Sequence, residues 1–178
     1  MEREQAREIV VSTHEASHAV ASVRVGIPFE YVTLDDENIG PHVQPIDNAP
    51  RPIPFHEGGA CCDAVRGICE ECRQEEARAE SLIIVAISGS LGVIATGCSD
   101  FGYGHQRDKE YVELVCDIAF GERGAAADVR VKRLLAKGMG LFERESGTVG
   151  RVAGELQLRR RLTMEEVEQI MDGGDPRI

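Results

Sequence analysis

The stretch from Glu4 to Val25 constrains this chain more than any other. Ile9, Val10, Thr13, Ala16, Val20 and Val23 recur at helical spacing, which predicts one amphipathic helix with these residues on its buried face. Gly26 and Pro28 then stop it. Inside this helix stands His14-Glu15-Ala16-Ser17-His18, an HExxH pattern. At 3.6 residues per turn, histidines four apart point the same way, so both imidazoles can bind one metal ion. Glu15, beside the first histidine, can then reach a metal-activated water and take its proton. His14 and His18 fall on the flank of the apolar face, near Val10, Ala21 and Val25, which predicts a site half sheltered and half accessible. Two surface histidines one turn apart are the bland alternative; against them, the glutamate falls in the required slot.

A chain of 178 residues has room for one domain with a real core. We read 1–178 as that single domain, with 1–125 as the metal-binding part and 126–178 as C-terminal helices. The formal net charge of −11 argues against a nucleic-acid surface, and Arg159-Arg160-Arg161 reads as a solvated helix end. With no tryptophan, the core must be built from Val, Ile, Leu and Ala, which favours helices over a β-sandwich. The opening Met1-Glu2-Arg3-Glu4 shows no secretory signal, so reduced thiols and a cytoplasmic location are expected. Ser81 to Cys98 is strongly apolar but interrupted by Ser88, Gly89, Ser90 and Gly92, and reads as a buried core helix rather than a membrane span.

The architecture expected is mainly α, with a small edge β element beside the HExxH helix. Glu30 to Leu34 reads as a short strand, and Gly40 to Pro45 as a second one that its prolines confine to a sheet edge. Asn48 to Pro54 is a loop. Cys61 to Ala95 is helical, as one helix or as two broken near Arg73 to Glu76. After a glycine-rich loop from Gly97 to Gly104, helices are expected over Gln106–Phe120, Ala126–Glu145 (weakened by Gly138 and Gly140) and Thr148–Arg160. The last helix opens with a capping box, Thr163 and Glu166, and ends at Gly173-Gly174.

A catalytic zinc keeps three protein ligands, so one further His, Glu or Asp is needed. The order of segments resembles the peptidase domain of FtsH-type membrane-anchored AAA+ zinc proteases. His14 to Ala19 is similar to the family's HEAGHA, and Pro28 to Leu34 to its short Pro-x-x-x-Val-Thr-Ile edge strand. Thr96 to Asp100 resembles its Thr-Gly-rich loop, and Arg161 to Val167 the start of its last helix. The resemblance implies a helical zinc-metallopeptidase domain. An aspartate opening the helix after the glycine-rich loop would be the third ligand, which maps onto Asp108, with Asp100 as runner-up and His105 as a third candidate. A first-turn carboxylate at Asp108 is also favoured by the helix dipole. Three departures stand out. Ser17 replaces the family's glycine, Ser88 to Val93 lacks the charges of its Gly-Gly-Arg-Ala-Ala-Glu run, and no GxxxxGK[ST] phosphate loop occurs. An ATPase partner would therefore be separately encoded, and family members work as rings, so a homo-oligomer is a candidate state.

Cys61, Cys62, Cys69 and Cys72 place four thiols within twelve residues, compatible with a second, structural zinc ion in which His56 could replace one cysteine. A disulfide or buried thiols are the alternatives, and Cys98 and Cys116 read as core residues. The function expected is zinc-dependent, ATP-independent hydrolysis of peptide bonds in peptides or unfolded proteins. His14, His18 and Asp108 would hold the metal and Glu15 would serve as base, while the strand at Tyr31, Val32 and Thr33 would pair with an extended substrate. The rival expectation is a zinc-binding, non-catalytic regulatory module on the same scaffold.

Overall fold

The computed structural model describes residues 2–36, 40–45, 76–95 and 105–173. It is mainly helical. The elements run α1 (Glu2–Val25), β1 (Phe29–Thr33), β2 (His42–Pro45), α2 (Glu76–Ala95) and α3 (His105–Val115). The chain then continues through a π-helical turn (Cys116–Phe120), α4 (Ala125–Arg159), β3 (Arg161–Thr163) and α5 (Met164–Met171).

Helices α1, α2 and α4 pack against one another in all three pairings and form the core. The middle of α1, Ser12 to Ser22, is buried on every side, because α2, α4 and the sheet enclose it. The expected one-sided burial is therefore absent: residues 4–9 are exposed all round and 12–22 are buried all round. Ile9, expected inside, is 43% exposed. α2 meets the length and composition of a membrane-crossing helix, with a mean hydropathy of 1.6 over Ala77–Ala95. Here its Leu82, Ile83, Ile84, Ile87 and Leu91 are core residues.

Small residues let these helices approach closely. A Cβ built on Gly92 of α2 would overlap Ser17 Oγ and lie 2.6 Å from Ser17 Cβ. The serine hydroxyl is satisfied within its own helix by donating to Thr13 O at 2.6 Å. Ser17 therefore fills the space that Gly92 leaves. Gly138 performs the same service between α4 and α2, where a Cβ would come within 2.8 Å of Leu91 Cδ1. α4 runs unbroken for 35 residues, about 52 Å, through the glycines expected to weaken it. The two helices expected over Ala126–Glu145 and Thr148–Arg160 are one.

The sheet has the order β2-β1-β3, antiparallel throughout. Tyr31 faces Gln44 on one side and Thr163 on the other, and Val32 faces Val43 and Leu162. β1 is therefore the central strand rather than an edge. β3 falls where the sequence suggested only a helix boundary; with three residues, it exists because β1 offers it a partner. The capping box at the start of α5 is present as expected, with Thr163 Oγ1 accepting from the Glu166 N–H and Glu166 Oε2 accepting from the Thr163 N–H.

The arginine triplet closes α4 at the surface, as expected, but its members are paired rather than merely solvated. Arg159 pairs with Glu166, and Arg161 lies over the Tyr31 ring at 3.5 Å. Arg160 forms a two-pronged pair with Asp35 at 2.7 and 2.8 Å and also reaches Glu8. Arg160 ends α4 with φ +65°, a left-handed conformation that a non-glycine residue adopts at a cost of roughly 1–3 kcal/mol. Its carbonyl, turned back by that conformation, accepts from the Leu34 N–H and from Thr33 Oγ1.

Candidate metal centre

The HExxH residues lie in the enclosed middle of α1, and the helical repeat stacks the two imidazoles one turn apart. Their ring centroids are 4.6 Å apart with planes at 83°, and the two Nε2 atoms face each other at 3.0 Å. Both residues are less than a tenth exposed, so the site is more sheltered than a flank position suggested.

Asp108 arrives from the first turn of α3. Val112 and Val115, one and two turns further on, are buried and hold this face of α3 inward, against α2. The carboxylate lies with Oδ2 3.3 Å from His14 Nε2 and Oδ1 3.7 Å from His18 Nε2. One donor atom from each of the three residues lies within 4.8 Å of the others, a group that can hold a metal ion.

The other side of His18 fixes which atoms carry lone pairs. Its Nδ1 is 2.7 Å from the Val85 carbonyl of α2, which can only accept, so Nδ1 carries the hydrogen. In the neutral ring Nε2 is then an acceptor, aimed at His14 and Asp108. Burial acts first on His18 and holds its pKa below the ordinary histidine value, which favours that neutral ring; the nearby Asp108 charge opposes it. Burial also pulls His14 down, but its contact with Asp108 and the charges of Glu15 and Asp108 outweigh this and leave its pKa raised.

The residues fit a cation on two counts. Asp108 Oδ2 is buried and has no aligned hydrogen-bond donor, an arrangement that is expensive unless something positive approaches it. Two imidazole nitrogens and a carboxylate converge, a donor set suited to zinc and other borderline divalent ions.

Glu15 is 4% exposed. Burial, reinforced by the Asp108 charge and opposed by His14, raises its pKa to about 7. A carboxyl poised there can both accept and release a proton near neutral pH.

Other candidates fare differently. Val32 and Thr33 are buried, and Tyr31 lies on a strand already paired on both sides, so β1 has no free edge for an extended peptide. Cys116 is buried in the core, and burial pushes its thiol up to about 11. His105 opens α3. Asp100, His56, Cys98 and the cluster Cys61, Cys62, Cys69 and Cys72 lie outside the described residues.

Sequence reasoning noted Ser88 and Gly89 but did not place them, or Val85, against the histidines that this part of α2 touches. Their signal was present as small residues, Ser88, Gly89 and Gly92, on an otherwise apolar helix; it read as interruption rather than as close approach. No family model matches the chain, and no curated protein matches it.

Proposed function

We propose that this chain is a zinc-dependent metallopeptidase, of the kind its resemblance to the FtsH-type peptidase domain implies. The observation that carries this reading is the convergence of His14 Nε2, His18 Nε2 and the Asp108 carboxylate beside a buried glutamate whose pKa is near 7. His14, His18 and Asp108 would hold the ion. When bound, zinc supplies Lewis acidity, lowering the pKa of water toward about 7 and polarising a carbonyl.

The chain's own residues do the rest. Glu15 accepts a proton from the attacking water and returns it to the leaving amine, a role that suits a carboxyl titrating near neutrality. The Val85 carbonyl holds His18 in the tautomer that leaves the Nε2 lone pair available to a bound ion. Enclosure of α1 by its neighbours keeps the local dielectric low and strengthens each of these interactions.

Incubation of the purified chain with an unfolded, casein-like polypeptide tests the proposal. Cleavage that a chelator stops and added Zn2+ restores is expected. A protein that binds about one zinc per chain but leaves such polypeptides intact would instead support a non-catalytic binding module.

A further inference from the structure

We propose that the Ser88–Gly89 step of α2 is a positioning element for the two histidines, setting the orientation of both rings toward a bound ion. This rests on the reading that His14, His18 and Asp108 hold a divalent cation.

Both residues call for an explanation where they stand. A glycine inside a helix is less favourable than alanine by roughly 1 kcal/mol, and the wholly buried Ser88 hydroxyl would be costly on this apolar helix without a hydrogen-bond partner. The contacts explain them. A Cβ built on Gly89 would overlap His14 Cε1 and lie 2.5 Å from His18 Nε2 and 2.6 Å from His14 Nδ1. Its three nearest atoms all belong to the two histidines. The same construction on Gly92, one turn later, meets Ser17 and no histidine. Gly92 thus serves the packing of α2 on α1, whereas Gly89 serves the metal-holding rings. Even one methyl group there would press on the nitrogen that must carry the lone pair.

Ser88 acts on the opposite edge of His18. Its Oγ donates to the Val85 carbonyl at 2.5 Å and lies 3.2 Å from His18 Nδ1. With its hydrogen committed to that carbonyl, the hydroxyl turns a lone pair toward the same Nδ1–H that Val85 O accepts. The ring edge is held by two acceptors, while the bare Gly89 backbone limits its tilt. The result is an Nε2 aimed at His14 and Asp108 before any ion arrives. Partners of this kind are worth about 10- to 100-fold in metal affinity.

The test compares Ser88→Ala, Gly89→Ala and Gly92→Ala with the unaltered chain. Zn2+ affinity is read by competition with a chromophoric chelator, the ligand field by the visible spectrum of the Co2+-loaded protein, and folding by thermal melting without metal. Ser88→Ala should melt like the parent, bind Zn2+ about 10- to 100-fold more weakly and shift the Co2+ bands. Gly89→Ala should lose more affinity than Ser88→Ala. Gly92→Ala should lower the melting temperature while leaving the Co2+ spectrum unchanged in the folded protein. Parental affinity and spectrum in Ser88→Ala would overturn the proposal even if Gly89→Ala fails to fold. So would a Gly92→Ala protein as impaired in Zn2+ binding as Gly89→Ala. In either case the parent's zinc stoichiometry stands and the metal reading survives; a parent chain that takes up no Zn2+ sinks both.

Discussion

Two charged clusters flank α1, and they are built on opposite principles. At its first turns Glu8 joins Arg160 and Asp35 in the open, where the three side chains are 46%, 40% and 57% exposed. Further along, His14, His18 and Asp108 meet with side chains 8%, 11% and 17% exposed. In the exposed cluster donors and acceptors match: the Arg160 guanidinium spans both Asp35 oxygens and still reaches Glu8. In the buried cluster they do not, since acceptors outnumber donors and one carboxylate oxygen has no aligned donor. The cluster that could lean on water needs nothing more, and the cluster denied water is short of positive charge. A site with such a deficit can hold a cation.

Removing a buried ligand should separate the two clusters most widely. Asp108→Asn keeps the shape but gives up the charge, and zinc content measured by elemental analysis should fall from about one per chain to near zero. Glu15→Gln should keep the zinc and lose polypeptide cleavage by at least about 10²-fold, within the range general-base removal produces. Full cleavage by that variant would refute the role given to Glu15.

Chelation comes next in size. If Zn2+ is present at about a hundredfold over its dissociation constant, it stabilises the fold by about 2.7 kcal/mol. Its removal should then lower Tm by roughly 5–10 °C for a chain of this length, reversibly on adding Zn2+ back. Altering Asp35 or Glu8 should leave that difference untouched.

The pH response of the metal-free protein should distinguish the clusters by sign. Glu15 has a folded-state pKa of about 7 against an ordinary 4.5. Between those values the unfolded chain has released the proton and the folded chain has kept it. Stability therefore falls as pH rises through this window, on the order of 3 kcal/mol in all, and Glu15→Gln should flatten the slope in denaturant titrations at stepped pH. Asp35 behaves oppositely: Arg160 holds its pKa below the usual carboxylate value, so its contribution is present above pH 3.8 and fades as pH falls through the lowered value.

The smallest effect belongs to the exposed pair. Asp35→Asn should cost less than about 1 kcal/mol in equilibrium unfolding, shrink further in high salt, and leave zinc affinity unchanged. A larger, salt-insensitive loss would show that the corner at Arg160 anchors α1 more firmly than its exposure implies.

How much of this could be read in advance depended on the range of the interaction. The HExxH turn, the apolar α2 and the Thr163–Glu166 capping box are local patterns, each set within a few residues, and each is present. The three-stranded sheet was only half legible. β3 is too short to announce itself, and nothing near Tyr31 reveals that strands from positions 42 and 161 close over both of its edges. The pairing of Arg160 at that exposed helix end was hidden because its acceptors, Glu8 and Asp35, lie more than a hundred residues earlier. Ile9 kept the helical rhythm of a buried face but is 43% exposed, since periodicity marks a stripe without saying where packing begins.

From its order of residues alone, this chain specifies a helix bearing two histidines and a glutamate at the spacing a metal requires, because backbone geometry carries that spacing unaided. Whether the imidazoles are wet or dry, which ring nitrogen bears the hydrogen, and whether a carboxylate meets them are questions of contact between distant segments. Folding answers them by bringing Asp108 from α3 and the Val85 carbonyl from α2 against one turn of α1. The glycine at position 89 makes that approach sterically possible.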